Sequence, residues 1–156
     1  MSAGPGVGLR VLGGHSDHNW ALAAVQYGCV VSEPHAGTRG NWEILGEVFG
    51  GGQYYASTAY LVGIAPLLRY NFGLGHGWVP FIDAGAGLTA TSIRDGDLST
   101  TFEFNVQGGV GLHYFIRDDL ALTGQFRFIH ISNASTHYPN VGVNNGTFLL
   151  GVTWLF

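Results

Sequence analysis

The chain has 156 residues, enough for one domain, 1–156. It is 46% hydrophobic and 13% aromatic but only 10% charged, against roughly 25% charged in an average soluble domain. A net charge of −4 with six Arg and no Lys argues against nucleic acid as a partner. The single cysteine, Cys29, rules out a disulfide framework or a cysteine-rich metal site.

Alternation, not helical periodicity, dominates from the first residues onward. It predicts eight strands, over about 5–13, 20–31, 40–50, 58–72, 79–92, 101–116, 119–132 and 146–156. Met1 runs straight into Ser-Ala-Gly-Pro-Gly, which is no leader; the strand pattern favours a chain that begins after a removed leader. In the second segment Cys29 lies in an apolar run, where it reads as a small packed hydrophobe. The third places Glu43 and Glu47 together, against Trp42, Ile44 and Val48. In the fourth, Tyr60, Val62, Ile64, Leu68, Tyr70 and Phe72 oppose Arg69 and Asn71. The fifth sets Asp83 against Ile82, Ala84, Ala86 and Leu88, and the sixth sets Glu103, Asn105, Gln107 and His113 against a row running from Phe102 to Ile116. In the eighth, Phe148, Leu150, Val152, Trp154 and Phe156 oppose Thr147, Gly151 and Thr153. Glycines on the fifth and sixth strands read as places where curvature or crowding forbids a Cβ. His15, His18 and His35 lack a shared face and read as loop residues, as does His137.

Each of these strands therefore has a wide apolar face and a second face of small and charged residues. An even number of long strands so patterned suits an eight-stranded antiparallel up-and-down transmembrane β-barrel, with lipid outside and paired charges inside. Glu43, Glu47, Asp83 and Glu103 are expected to meet Arg10, Arg69 and Arg127 in the lumen. Trp20, Trp42, Tyr54, Tyr55, Trp78 and Trp154 are expected to form an interfacial girdle. A soluble barrel binding a small apolar ligand would need the opposite phase.

The seventh strand carries the anomaly. In FRFIHISNASTHYPN, residues 126–140, His130 and Ser132 share the outward face with Phe126 and Phe128, whereas Gln125 and Arg127 point inward. Polar groups on a lipid face are costly and mark a functional site by default. Both termini of such barrels lie in the periplasm, so the strand runs outward from the Arg117-Asp118-Asp119 turn. The pair then falls at the depth of the outer leaflet, where lipopolysaccharide resides, and a Ser and a His there can attack a lipid ester in place.

The segment His130-Ile131-Ser132-Asn133-Ala134, followed by Pro139-Asn140-Val141-Gly142, resembles the H-x-S-N-A…P-N-x-G segment of the lipid A 3-O-deacylase (PagL) family. Pro80-Phe81-Ile82-Asp83-Ala84-Gly85-Ala86-Gly87 resembles that family's P-F-[IV]-[ED]-A-G-x-G strand. The resemblance is detailed over the second half of the chain and extends to the first half as strand pattern. It implies a bacterial outer-membrane barrel whose partners are lipopolysaccharide and membrane lipid. It further implies an esterase that hydrolyses the 3-O-linked acyl chain of lipid A without metal or cofactor, and it leaves a homodimer open. By the same resemblance Ser132 is the nucleophile, His130 the base, and Asn133, with Ala134 and Ser135 beside it, belongs to the oxyanion hole. Two positions depart from the family pattern. Asn144 stands where a Glu serves as triad acid, and Ser135 stands where a Gly occurs near the oxyanion hole. An amide oxygen at Asn144 can still orient His130. The rival reading is a catalytically inactive, structural outer-membrane barrel, which the missing acid favours.

Overall fold

A computed structural model describes residues 1–13, 17–32, 40–55, 57–73, 76–94 and 96–156. It contains β1 (Ser2–Gly8), β2 (Trp20–Val30), β3 (Asn41–Gln53), β4 (Ala59–Asn71), β5 (Trp78–Thr91), β6 (Phe102–Arg117), β7 (Leu120–Ser132) and β8 (Val143–Trp154). Each strand pairs antiparallel with its sequence neighbour, and β1 closes on β8, so the sheet has no free edge. Several boundaries differ from the expected ones: β1 ends at Gly8 and not near 13, β3 runs on to Gln53, and the starts of β1 and β8 shift as well. β1 starts at Ser2 because the small residues there pair through their backbone, Ala3 with Ala23 on one side and Leu150 on the other. β8 starts at Val143, three residues early, because Asn144 and Asn145 pair with β7 and satisfy their side chains on opposite faces.

The outward face is apolar as expected: Ile64, Leu68, Ile82, Val106, Val110, Phe126, Phe148 and Leu150 are each about half exposed or more. At the end that holds both termini, aromatic rings gather in contact pairs. Trp42 and Tyr70 have centroids 4.9 Å apart, Trp78 and Tyr114 4.5 Å. Tyr54 and Tyr55 stand exposed at the opposite end. Trp20 departs from the girdle reading. It is fully buried inside the barrel, with its indole N–H donated to Thr147 Oγ1 at 2.9 Å. Cys29 departs too: its position on β2 belongs to the outward phase and it is exposed rather than packed. At the turn joining β6 to β7, Arg117 binds Asp119 at 3.0 Å and holds its carboxyl below the usual carboxylate range.

The lumen is layered. Toward the terminal end, six side chains close a ring. Arg127 holds Glu47 at 2.6 Å and donates to Gln125 at 2.9 Å; Gln125 donates to Asp83 at 2.8 Å. Asp83 also accepts from Arg69 at 2.9 Å, Arg69 donates to Gln26 at 2.8 Å, and Gln26 donates to Glu47 at 2.7 Å. Two cations, two anions and two amides thus pair with one another, with Gln107 adding bonds to Arg127 and Glu47, which offsets the cost of burying charge. Among the described residues, Arg127 Nε alone of the guanidinium nitrogens is buried without a partner. Glu43 lies 3.7 Å from Arg69 at the margin of the ring. Glu103 and Arg10 do not join it. Glu103 sits toward the other end and accepts from Thr100 at 2.7 Å, while Arg10 lies beyond β1 and is exposed. Above the ring the interior holds an apolar cluster, with Leu22, Phe49, Leu61, Ile129, Ile131 and Leu149 packed with Trp20. A purely polar filling is therefore corrected: the Arg–carboxylate pairs occupy one layer, and the apolar cluster occupies the next among further buried polar groups such as Asn105, Glu103 and the His18–Asp97 pair. Gly85 shows why glycine is needed on β5, since a Cβ there would clash with the Pro66 carbonyl oxygen.

Candidate active site on the outer face

β7 ends on the outward face at the end opposite the termini, with His130 and Ser132 half-buried there. The pleat places His130 directly across from Asn144 on β8 and from Val106 on β6; Ser132 lies across from Phe104. Asn144 shares the outward phase but is fully buried, because the chain leaving β1 folds over it. Leu9 N–H donates to Asn144 O at 2.8 Å, and Asn144 Nδ2 donates to Val11 O at 2.7 Å.

That last bond decides a proton position. A carbonyl oxygen only accepts, so the Asn144 NH2 must face Val11 and its Oδ1 must face His130 Nδ1, 2.7 Å away. His130 therefore carries its proton on Nδ1, and its bare Nε2 faces Ser132 Oγ at 3.0 Å. The result is a directed chain, Ser132 Oγ–H to His130 Nε2 and His130 Nδ1–H to Asn144 Oδ1, anchored on the backbone at Val11. No net charge is placed on the apolar face, and each member has its partner.

The loop after Ser132 is braced separately. Asn133 is buried; its N–H donates to Asn140 Oδ1 at 3.0 Å and its side-chain NH2 donates to Ser99 Oγ at 3.2 Å and His137 O at 3.0 Å. Its carbonyl accepts from Thr136 Oγ1 at 2.9 Å. Between them Ala134 and Ser135 adopt left-handed backbone, φ 53° and 62°. The Thr136 N–H donates to the Asn133 carbonyl at 3.2 Å and closes a β-turn across them. The conformation also explains why a Gly suits the position of Ser135, since a side chain there costs about 1–2 kcal/mol. Gly142, with φ 83°, roofs the imidazole: a Cβ on it would lie 2.9 Å from His130 Cε1.

Of the residues singled out from sequence, His130, Ser132 and Asn144 come together, with Asn133, Ala134 and Ser135 on the adjoining loop. Asn144 arrives as the strand partner of His130, across the β7–β8 pair that the Pro139-Asn140 loop connects. His15 and His35 lie outside the described residues, and His137 is exposed. His18 is in a loop but buried. Sequence reasoning missed Val11 and Ser99, which act through a carbonyl and a hydroxyl that carry no pattern; Gly142, by contrast, lies within the matched P-N-x-G motif.

Comparison with known proteins agrees with this architecture. The model of the lipid A 3-O-deacylase (PagL) family matches residues 6–153. The chain belongs to the lipid A 3-O-deacylase (PagL) family. Among solved structures it is similar to the crystal structure of the outer membrane enzyme PagL, with 22% identity, a TM-score of 0.79, and coverage of 99% of this chain and 100% of that one. It also resembles Neisserial surface protein A, with 17% identity, a TM-score of 0.74, and coverage of 99% and 94%. No curated protein sequence matches it. Family and barrel together make this a bacterial outer-membrane barrel of the lipid A deacylase type.

Proposed function

We propose that the protein is an active serine esterase that removes the 3-O-linked acyl chain of lipid A, using Ser132, His130 and Asn144. The observation that carries this reading is the directed hydrogen-bond chain from Ser132 to Val11, which leaves His130 Nε2 unprotonated toward the hydroxyl. His130 takes the Ser132 proton as Oγ attacks the ester carbonyl. The N–H groups of the Ala134–Ser135 turn receive the oxyanion, and Asn133, whose own amide protons are engaged, holds that turn in shape. The imidazolium then returns its proton to the departing sugar hydroxyl. Water, deprotonated by His130, attacks the acyl-enzyme and releases the fatty acid, regenerating Ser132. Asn144 contributes orientation and a dipole in place of a full charge. In Ser-His-Asp sites, exchanging the acid for an amide costs about 10⁴-fold chiefly through the wrong tautomer. Here the Val11 contact removes that fault. Fatty-acid release from purified lipopolysaccharide tests the proposal: it is expected from the unaltered protein and not from Ser132→Ala or His130→Ala. Equal release from all three would overturn it.

A further inference from the structure

At the outer mouth of the barrel a second histidine is buried among polar groups that the esterase chemistry does not use. His18, before β2, is 1% exposed. Its Nδ1 lies 2.8 Å from Gln53 Oε1 and its Nε2 lies 2.7 Å from Asp97 Oδ2. Gln53 Nε2 donates to the Ser57 carbonyl oxygen at 3.1 Å, so Gln53 must present its oxygen to His18, and Nδ1 must carry a proton. One more proton lies between Nε2 and the Asp97 carboxyl. The His18 carbonyl in turn accepts from Asn145 Nδ2 at 2.6 Å, next in sequence to Asn144.

Asp97 is where this buried group meets the reacting site. Its backbone oxygen accepts from Val141 N at 3.0 Å and from Gly142 N at 3.2 Å, and Gly142 roofs His130. Two residues on, Ser99 holds the Asn133 side chain. The segment 97–99 thus grips both ends of the loop that carries Ala134 and Ser135. Leu98, fully buried between them, pins the segment into the apolar core.

We propose that the His18–Asp97 pair is a latch whose members act as positioning residues: it fixes segment 97–99 across the barrel mouth and so sets the Ser132 loop and the Gly142 roof in reacting geometry. The latch works on the esterase site proposed above and rests on that reading. Displacement of reacting groups by about 1 Å costs on the order of 10²-fold in rate. Loosening the latch therefore lowers kcat by roughly 10- to 100-fold, and KM, set by acyl contacts on the outer face, changes little.

The test compares His18→Ala, Asp97→Ala and Asp97→Asn, each as the full chain folded in detergent and checked for barrel structure by circular dichroism. An Asn at 97 can donate its amide proton to a neutral His18 Nε2, so Asp97→Asn keeps the bond and is expected to retain kcat within a few-fold of the unaltered protein. Both Ala variants are expected to lose kcat at near-constant KM. Hydrogen exchange at Val141 and Gly142 is expected to quicken in the Ala variants and to stay slow in Asp97→Asn. The exchange readout needs no activity, so absence of Ser132-dependent deacylation in the unaltered protein sinks the esterase reading without deciding the latch. Unchanged exchange and kcat in the Ala variants, or an Asp97→Asn variant as impaired as Asp97→Ala, would overturn the latch.

Discussion

The lumen ring and the outer-face site solve one physical problem in opposite ways. Both put polar side chains into apolar surroundings, and both pair them with one another. The ring uses full charges, Arg69 and Arg127 against Asp83 and Glu47, and closes on itself so that nothing is left to react. The outer chain is neutral throughout and open at one end, where Ser132 is half-buried beside the lipid surface. At Asn144, which is fully buried, an amide brings no formal charge to the apolar face, and its N–H finds an acceptor in the Val11 carbonyl. In this chain, charge is closed into a ring inside the barrel, and on the proposed function a neutral dipole serves chemistry where the chain must stay open.

The contrast can be broken at either side. The largest effect falls on the open end: Ser132→Ala lowers deacylation by on the order of 10⁴-fold or more and leaves the barrel's urea unfolding midpoint in place. The reverse pattern holds for the ring. Arg127→Met strands Glu47 without its cation and destabilises the barrel by about 3–5 kcal/mol, seen as a lowered unfolding midpoint in detergent, while the folded fraction keeps its activity. Pairing it with Glu47→Leu recovers much of that loss, because no unpaired charge then remains. At Asn144 the two logics meet. Asn144→Asp sets a carboxylate oxygen against the Val11 carbonyl, and both groups only accept. It is expected to cost about 1–3 kcal/mol in stability and to lower the rate of fatty-acid release. The smallest effect belongs to Ser135→Gly, which relieves about 1–2 kcal/mol of left-handed strain and leaves kcat within a few-fold.

The barrel was legible because a period of two is hard to counterfeit over strands as long as β4 and β6, and their outward rows match the expected ones residue for residue. His130 and Ser132 were legible by the same phase. What escaped was whatever depends on more than one strand. Nothing in the alternation separates a charged lumen position such as Arg127 from an apolar one such as Ile129 or Leu149 as parts of two distinct layers. Trp20 sits near a strand end like a girdle residue, and only closure of β1 on β8 brings Thr147 to its indole. The Val143–Gly146 stretch looks turn-like by composition. It is strand because Asn144 and Asn145 each find a partner from a distant part of the chain, Val11 and His18.

The central claim is that the neutral chain through Asn144 drives ester cleavage on lipid A. Mass spectrometry of lipid A from cells making the unaltered protein, Ser132→Ala or no protein tests it most directly. Loss of one 3-O-linked hydroxyacyl mass is expected with the unaltered protein alone. Identical lipid A in all three samples would contradict it.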